Sequence, residues 1–378
     1  MKRNLMDDWL VEQGSKVVIN LGESSVADIS MLALGVPALA KDVLEMKLGN
    51  TATRGSIRLR SAIASSYTGI DPADVLVTAG VSEALVAIAL AHFVHGANAI
   101  VPIPAFHALY DVPELIGFNV RKVDLLEGEG FRLPVDRVIK AIDCKTRLVI
   151  LNSPHNPTGV VYPAGDIAQI AEAAGAVGAT VVVDQHYRFL PRGVGKPADF
   201  DALPNVVLLG SIGKCFGCTG LRIGWIVASP ALHERYETFK LLLTHSVSAV
   251  SEAIAVEILE RREILQATIE PVVVTNAARL AEMVAATDGA AAILPDTAGT
   301  TAFIHLRQVT DTMAFAQRLL DETGVLILPG ESFEQPGFIR VGLGADPASF
   351  AIACDALLEA IAGAPRSCAA IPQTNWSV

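Results

Sequence analysis

Ser211-Ile212-Gly213-Lys214-Cys215-Phe216-Gly217-Cys218-Thr219-Gly220-Leu221-Arg222-Ile223-Gly224-Trp225 follows an apolar run, residues 206–209, that reads as a buried strand. The stretch sets Lys214 among small residues and places Arg222 further along in a Gly-x-x-Gly-x-Arg-x-Gly pattern. A lysine that forms a Schiff base must sit where the backbone lets a flat ring come close, and glycine permits that approach. The Ser211 hydroxyl and the Arg222 guanidinium both suit phosphate oxygens. A strand, a glycine-rich turn and two solvated cations would be the plainer account of the same residues. The rest of the chain decides between the two.

Upstream, the β-branched run 179–183 ends at Asp184, with Tyr187 three positions on. A carboxylate ending a buried strand is costly unless it is paired. Residues 148–151 lead into Asn152-Ser153-Pro154-His155-Asn156-Pro157-Thr158-Gly159, whose prolines and asparagines mark a tight turn at a strand end. Further up, a strand over 74–78 runs into a helix over 81–92 that starts after Gly80. The free N–H groups of such a start form a ready phosphate cup. A strand over 97–103 ends at Pro104-Ala105-Phe106; taken alone, Phe106 reads as core. Downstream, Arg340 interrupts an apolar strand within 337–344, where a charged side chain asks for an anionic partner.

Taken together, these stretches resemble the pyridoxal-phosphate (PLP) enzymes of the class I/II aminotransferase family, fold type I. That family's Asn-x-Pro-x-Asn-Pro-Thr-Gly, Asp-x-x-Tyr and Ser-x-x-Lys-x-x-Gly-x-x-Gly-x-Arg-x-Gly patterns stand here in the same order, and the resemblance spans nearly the whole chain. It implies an α/β fold: a large domain with a mainly parallel seven-stranded sheet between helices, and a smaller α+β domain. Residues 1–45 would form an N-terminal segment at the active-site mouth, 46–270 the large PLP-binding domain, 271–364 the small domain and 365–378 a tail.

The same resemblance assigns roles. Lys214 would carry the cofactor as a Schiff base, Asp184 would face its ring nitrogen, and Tyr187 and Asn156 its phenolate oxygen. Phe106 would stack on the ring. Gly80, Val81, Ser82, Ser211 and Arg222 would hold the phosphate. Arg340 would bind the substrate α-carboxylate beside Asn156. The segment 20–26 would cross the mouth, bringing Gly22 and Glu23 to the substrate, although Glu23 by itself reads as a solvent-facing loop residue. His155 and His186 sit beside the chemistry. One departure stands out: the family's cross-dimer phosphate tyrosine is missing from Leu48-Gly49-Asn50-Thr51.

Composition fits an enzyme of this kind. A chain of 378 residues is too long for one small core. A net charge of −11 speaks against nucleic-acid or anionic-membrane partners, and no apolar stretch reaches membrane-spanning length. The first residues lack an apolar signal core, and five cysteines without framework spacing fit a reducing cytoplasm. Cys215 and Cys218 lack a second pair and read as packing residues, so no metal is expected. A sensor role, as in regulators that join this fold to a DNA-binding module, conflicts with the acidic charge.

The activity expected is that of an enzyme on an α-amino acid. Lys214, freed when the substrate displaces it, removes the Cα proton while the ring held by Asp184 takes up the electrons. Transamination is the family's default. Segments 20–26, 184–188 and 328–344 resemble the branch holding capreomycidine-synthase-like cyclases of natural-product pathways. Elimination, cyclisation or oxidative decarboxylation therefore stands as the alternative. A homodimer is implied by the resemblance alone.

Overall fold

The structure, a computed structural model, describes residues 4–13, 16–35, 41, 43–194 and 203–363. Pro37, which suits the first turn of a helix, and the tail 365–378 lie outside the described residues. In chain order the strands are β1 (Ile19–Asn20), β2 (Val75–Thr78), β3 (Asn98–Ile103), β4 (Asn119–Asp124), β5 (Thr146–Asn152), β6 (Thr180–Asp184), β7 (Val206–Ser211) and β8 (Gly224–Val227). They continue with β9 (Ala291–Ile293), β10 (Thr301–Leu306), β11 (Val325–Leu326), β12 (Leu328–Pro329) and β13 (Phe338–Gly342).

Seven of these strands form one sheet in the order β2-β8-β7-β6-β5-β3-β4. Only β8 runs antiparallel to its neighbours. Both faces are covered, and the sequence shows why. Successive side chains of a strand point to opposite faces. Val181 and Val183 join one buried cluster while Val182 joins the other. Likewise Val149 and Leu151 face one way, Leu148 and Ile150 the other. A strand buried on both faces must be apolar throughout, and each such side chain contributes about 1.5–3 kcal/mol.

The register then gathers the polar exceptions at one edge. Asn152 pairs with Asp184 across β5 and β6. Ser211 of β7 and Thr78 of β2 both pair with Gly224 of β8. Polar residues that end apolar runs thus share the edge where the parallel strands finish, the usual place for a ligand in such sheets.

A second, antiparallel sheet has the order β12-β13-β10-β9, with Arg340 on β13 opposite Phe303 and Leu328. The sequence reads 325–328 as one strand, but the structure divides it. Val325–Leu326 pairs in parallel with β1, and Leu328–Pro329 pairs with β13. Ile327 lies between, and its carbonyl accepts the Trp9 indole N–H at 2.9 Å. The N-terminal segment is thereby stitched to this half of the molecule. The short helix Val135–Ala141 and the helices Ala108–Ile116 and Ala164–Gly175 complete the layers around the large sheet. Among the described residues, no helix is long and apolar enough to cross a membrane.

Candidate active site

A cavity of about 220 Å³ opens at the edge where the parallel strands end. Its wall includes Gly80, Val81 and Ser82 from the start of the helix Val81–His92, and Phe106 after β3. Asn156, Asp184, His186, Ser211, Lys214 and Arg222 line it as well. Ten residues singled out by sequence therefore converge, although they are spread from position 80 to position 222.

The phosphate end is built by the backbone. Gly80 is the N-cap of its helix with φ 85°, and no side chain caps it. The first N–H groups are left free for an anion. A Cβ on Gly224 would lie 2.7 Å from the Gly80 carbonyl carbon and 2.9 Å from the Val81 nitrogen. Backbone cannot yield as a side-chain tip can, so Gly224→Ala is expected to displace the cup. We predict that this variant folds but loses PLP affinity about tenfold or more, measurable by titrating the apoprotein with PLP.

The other end carries the acid, the amide and the lysine. Asp184 is 3% exposed. Its oxygens meet the His186 backbone N–H at 3.1 Å and His186 Nδ1 at 3.0 Å. Asn152 Nδ2 donates to the Asp184 carbonyl at 2.9 Å, and Asn152 Oδ1 accepts the Asn156 N–H at 2.6 Å. The Asn-Pro turn is in this way locked to the strand bearing the acid. Burial pushes the Lys214 amine below its ordinary pKa, while the charge of Glu23 pulls it back up. A lowered lysine offers a free amine nearer neutral pH, which both condensation and proton abstraction require.

Arg340 is 2% exposed. It donates from Nη1 to Asn156 Oδ1 at 3.2 Å and from Nη2 to the Gly22 carbonyl, while its Nε has no hydrogen-bond partner. Among the described residues no carboxylate lies within ion-pair distance of it. Two neutral acceptors leave the charge itself uncompensated.

The strap 20–26 is tied down along its length. Gly342 N donates to Leu21 O at 2.7 Å, Val26 N to Lys214 O at 3.0 Å and Ala27 N to Gly344 O at 2.9 Å. Glu23 rides on this strap, exposed, with its charge felt by both Lys214 and Arg340. Gly22, Glu23 and Arg340 do not line the 220 Å³ cavity themselves, but adjoin it through Asn156.

Tyr187 is fully buried, outside the cavity wall, and its hydroxyl donates to the Ser24 carbonyl at 3.1 Å. A buried hydroxyl needs a partner, and the strap passing overhead supplies one. Thr300 donates to the same carbonyl at 2.7 Å. Ser24, which lines the cavity, lies in the segment 20–26 expected at the mouth, whereas no local pattern marks Thr300. The Cys215 and Cys218 thiols, free and pushed up to about 12 by burial, bond to the carbonyls of His186 and Ile212 as packing residues do. Among the described residues no group of three or more His, Cys, Asp or Glu could hold a metal.

A family model described as aminotransferase class I and II matches residues 19–357. The chain belongs to this family. Among curated relatives, capreomycidine synthase of Streptomyces vinaceus is 28% identical, covering 89% of this chain and 88% of the relative. Arginine–pyruvate transaminase of Pseudomonas aeruginosa is 29% identical over the same shares of each chain. Among solved structures, a PLP-dependent aminotransferase from Streptococcus suis superposes with TM-score 0.90 at 21% identity, covering 96% of this chain and 98% of that one. The PLP-dependent cyclase OrfR superposes with TM-score 0.86 at 25% identity, covering 96% and 97%.

This aminotransferase-family enzyme takes pyridoxal 5'-phosphate, and its residues fit the group. The glycine cup admits no Cβ, Ser211 and Arg222 flank it, Phe106 forms one wall, and a buried acid stands in the same cavity as a half-buried lysine. When bound, PLP supplies an aldehyde for Lys214 and an electron-withdrawing ring.

His155 supports the site from behind. Its Nδ1 lies 2.7 Å from Thr158 Oγ1, and burial lowers its pKa to about 3. The unfolded chain takes up this proton near pH 6.5, whereas the folded one refuses it until about pH 3. The associated stability is thus complete above pH 6.5 and is lost as acid is added. Between pH 6.5 and 4.5 it amounts to about 2–3 kcal/mol. Denaturant titrations of wild type and His155→Asn should show the wild type losing that much more over this interval.

Proposed function

We propose that the protein is a PLP-dependent aminotransferase acting on an α-amino acid in specialised, natural-product metabolism, in a large domain spanning 46–270 and a small one spanning 271–364. The observation that carries the reading is Arg340: a buried, uncompensated cation joined through Asn156 to the cavity that holds Lys214 and Asp184. An α-carboxylate is the ligand such a guanidinium fork suits. It fixes the substrate so that the Lys214 amine reaches the Cα hydrogen. Lys214 takes that proton, and Asp184 holds the charge balance at the ring nitrogen.

The similarity to capreomycidine synthase across 89% of the chain favours a second reading, elimination or cyclisation of a modified amino acid. The two readings share Cα deprotonation and part after it. An amino-acid panel offered with and without pyruvate separates them. Turnover that requires the acceptor, with the cofactor cycling to its amine form, supports transamination. Product formed with no acceptor excludes it.

The side chain to be recognised is cationic. Glu23 is exposed on the pinned strap, near Lys214 and Arg340, and has no ion-pair partner among the described residues. Glu23→Gln is expected to raise KM for L-arginine about fivefold, the scale of a solvent-screened charge pair, and to leave KM for L-alanine unchanged. Equal effects on both amino acids would remove Glu23 from side-chain recognition. By analogy with family members, we take the working unit to be a homodimer, with another group replacing the missing phosphate tyrosine.

A further inference from the structure

His186 lines the cavity beside Lys214, yet the chemistry assigned to Lys214, Asp184 and Arg340 gives it no task. It is 7% exposed, and it meets Asp184 twice: the backbone N–H donates to Oδ1 at 3.1 Å, and Nδ1 lies 3.0 Å from Oδ2. Its own carbonyl accepts the thiol of Cys215, the neighbour of Lys214, at 3.3 Å. Its ring centroid lies 3.9 Å from that of Tyr187. The imidazole thus lies between the Asp184 carboxylate and the Tyr187 ring, while the Cys215 thiol holds the backbone that carries it.

The groups facing it are Asp184 at the end of β6, Tyr187 in its own segment, His155 from the turn after β5 and Cys215 from the lysine loop. Burial keeps His155 neutral and pushes the tyrosine hydroxyl and the thiol toward their protonated forms. The carboxylate of Asp184 is thus the negative charge of the group. A buried carboxylate that lacks donors takes up a proton, and a neutral acid could not keep a proton on a pyridine nitrogen. A carboxylate offers about four lone-pair sites, so two donors from His186 leave room for the ring N–H.

We propose that His186 is a positioning residue that holds the Asp184 carboxylate aimed into the cavity before the cofactor arrives. This role extends the assignment of PLP to the cavity and rests on it. The imidazole carries a hydrogen on Nδ1, because the carboxylate it faces accepts only.

The test compares apoprotein affinity for pyridoxamine 5'-phosphate in wild type, His186→Ala, His186→Asn and His186→Gln. This probe cannot condense with Lys214, so its binding reads the ring and phosphate contacts alone. An asparagine Nδ2 sits about where Nδ1 was and can restore the bond, whereas a glutamine amide lies one carbon further out. His186→Ala is expected to bind about tenfold more weakly at pH 7, the scale on which losing the partner of a buried ligand group acts. His186→Asn should restore affinity, and His186→Gln should not. The proposal is overturned if alanine matches wild type, or if asparagine is as defective as alanine. Should alanine fail to fold, as judged by circular dichroism, the asparagine–glutamine comparison decides in the same terms. Failure of wild type to bind the probe at all would overturn the cofactor assignment together with this inference.

Discussion

Lys214→Ala is expected to lower turnover on the order of 10,000-fold or more while leaving the protein folded. The substitution removes two functions at once: the covalent attachment of the cofactor aldehyde, and the base that takes the Cα proton. Base catalysis by a positioned side chain alone is worth about 100- to 10,000-fold. The lysine is half-buried, and its backbone carbonyl accepts the Val26 N–H at 3.0 Å, so its place in the site does not depend on its own side chain. Borohydride treatment of the PLP-loaded wild type should add the cofactor's mass to the peptide carrying Lys214, and the variant should take up none. A variant that still turned over substrate within a factor of ten of wild type would end the assignment of this amine as the base.

Arg340 gives the second large effect, and here function and stability pull apart. Arg340→Lys keeps a positive charge but loses the planar fork. With the lost charge-assisted hydrogen bonds worth about 1.5–3 kcal/mol each, kcat/KM should fall roughly 100-fold or more for the best amino acid of the panel. Arg340→Met should abolish measurable turnover, yet leave the apoprotein as stable as wild type or more so. Removing a buried cation with no carboxylate beside it relieves its desolvation cost. Burial already depresses the Arg340 pKa, with the Glu23 charge opposing that drop, as a charge held without full compensation requires. Thermal melting of the apoproteins checks this. A large loss of stability in Arg340→Met would mean that the guanidinium serves the fold, through Gly22 and Asn156, rather than a substrate carboxylate.

Much of the site was legible because its chemistry sits at places where a sequence rule breaks. Asp184 ends a run of valines, Arg340 interrupts an apolar strand, and Lys214 stands among glycines. Each exception carries an energetic cost that a structure without a ligand would not bear. The helix Val81–His92 was readable to the residue, since Gly80 marks its start. The division of 325–328 between two sheets was not, because β1 and β13 compete for adjacent residues and neither partner is visible locally.

By itself, the order of residues determined the strand–helix succession, the glycine cup and the identity of the lysine, the acid and the arginine. These come from short-range periodicity, backbone permissiveness and the cost of burying charge. Only the tertiary structure decided which groups share a partner. It gave the Tyr187 hydroxyl to Ser24, both oxygens of Asp184 to His186, and one arm of Arg340 to Gly22. Hydrogen bonds of this kind join residues that can lie hundreds of positions apart, so they depend on how the strap, the turn and the two sheets meet. No local stretch of chain encodes that meeting.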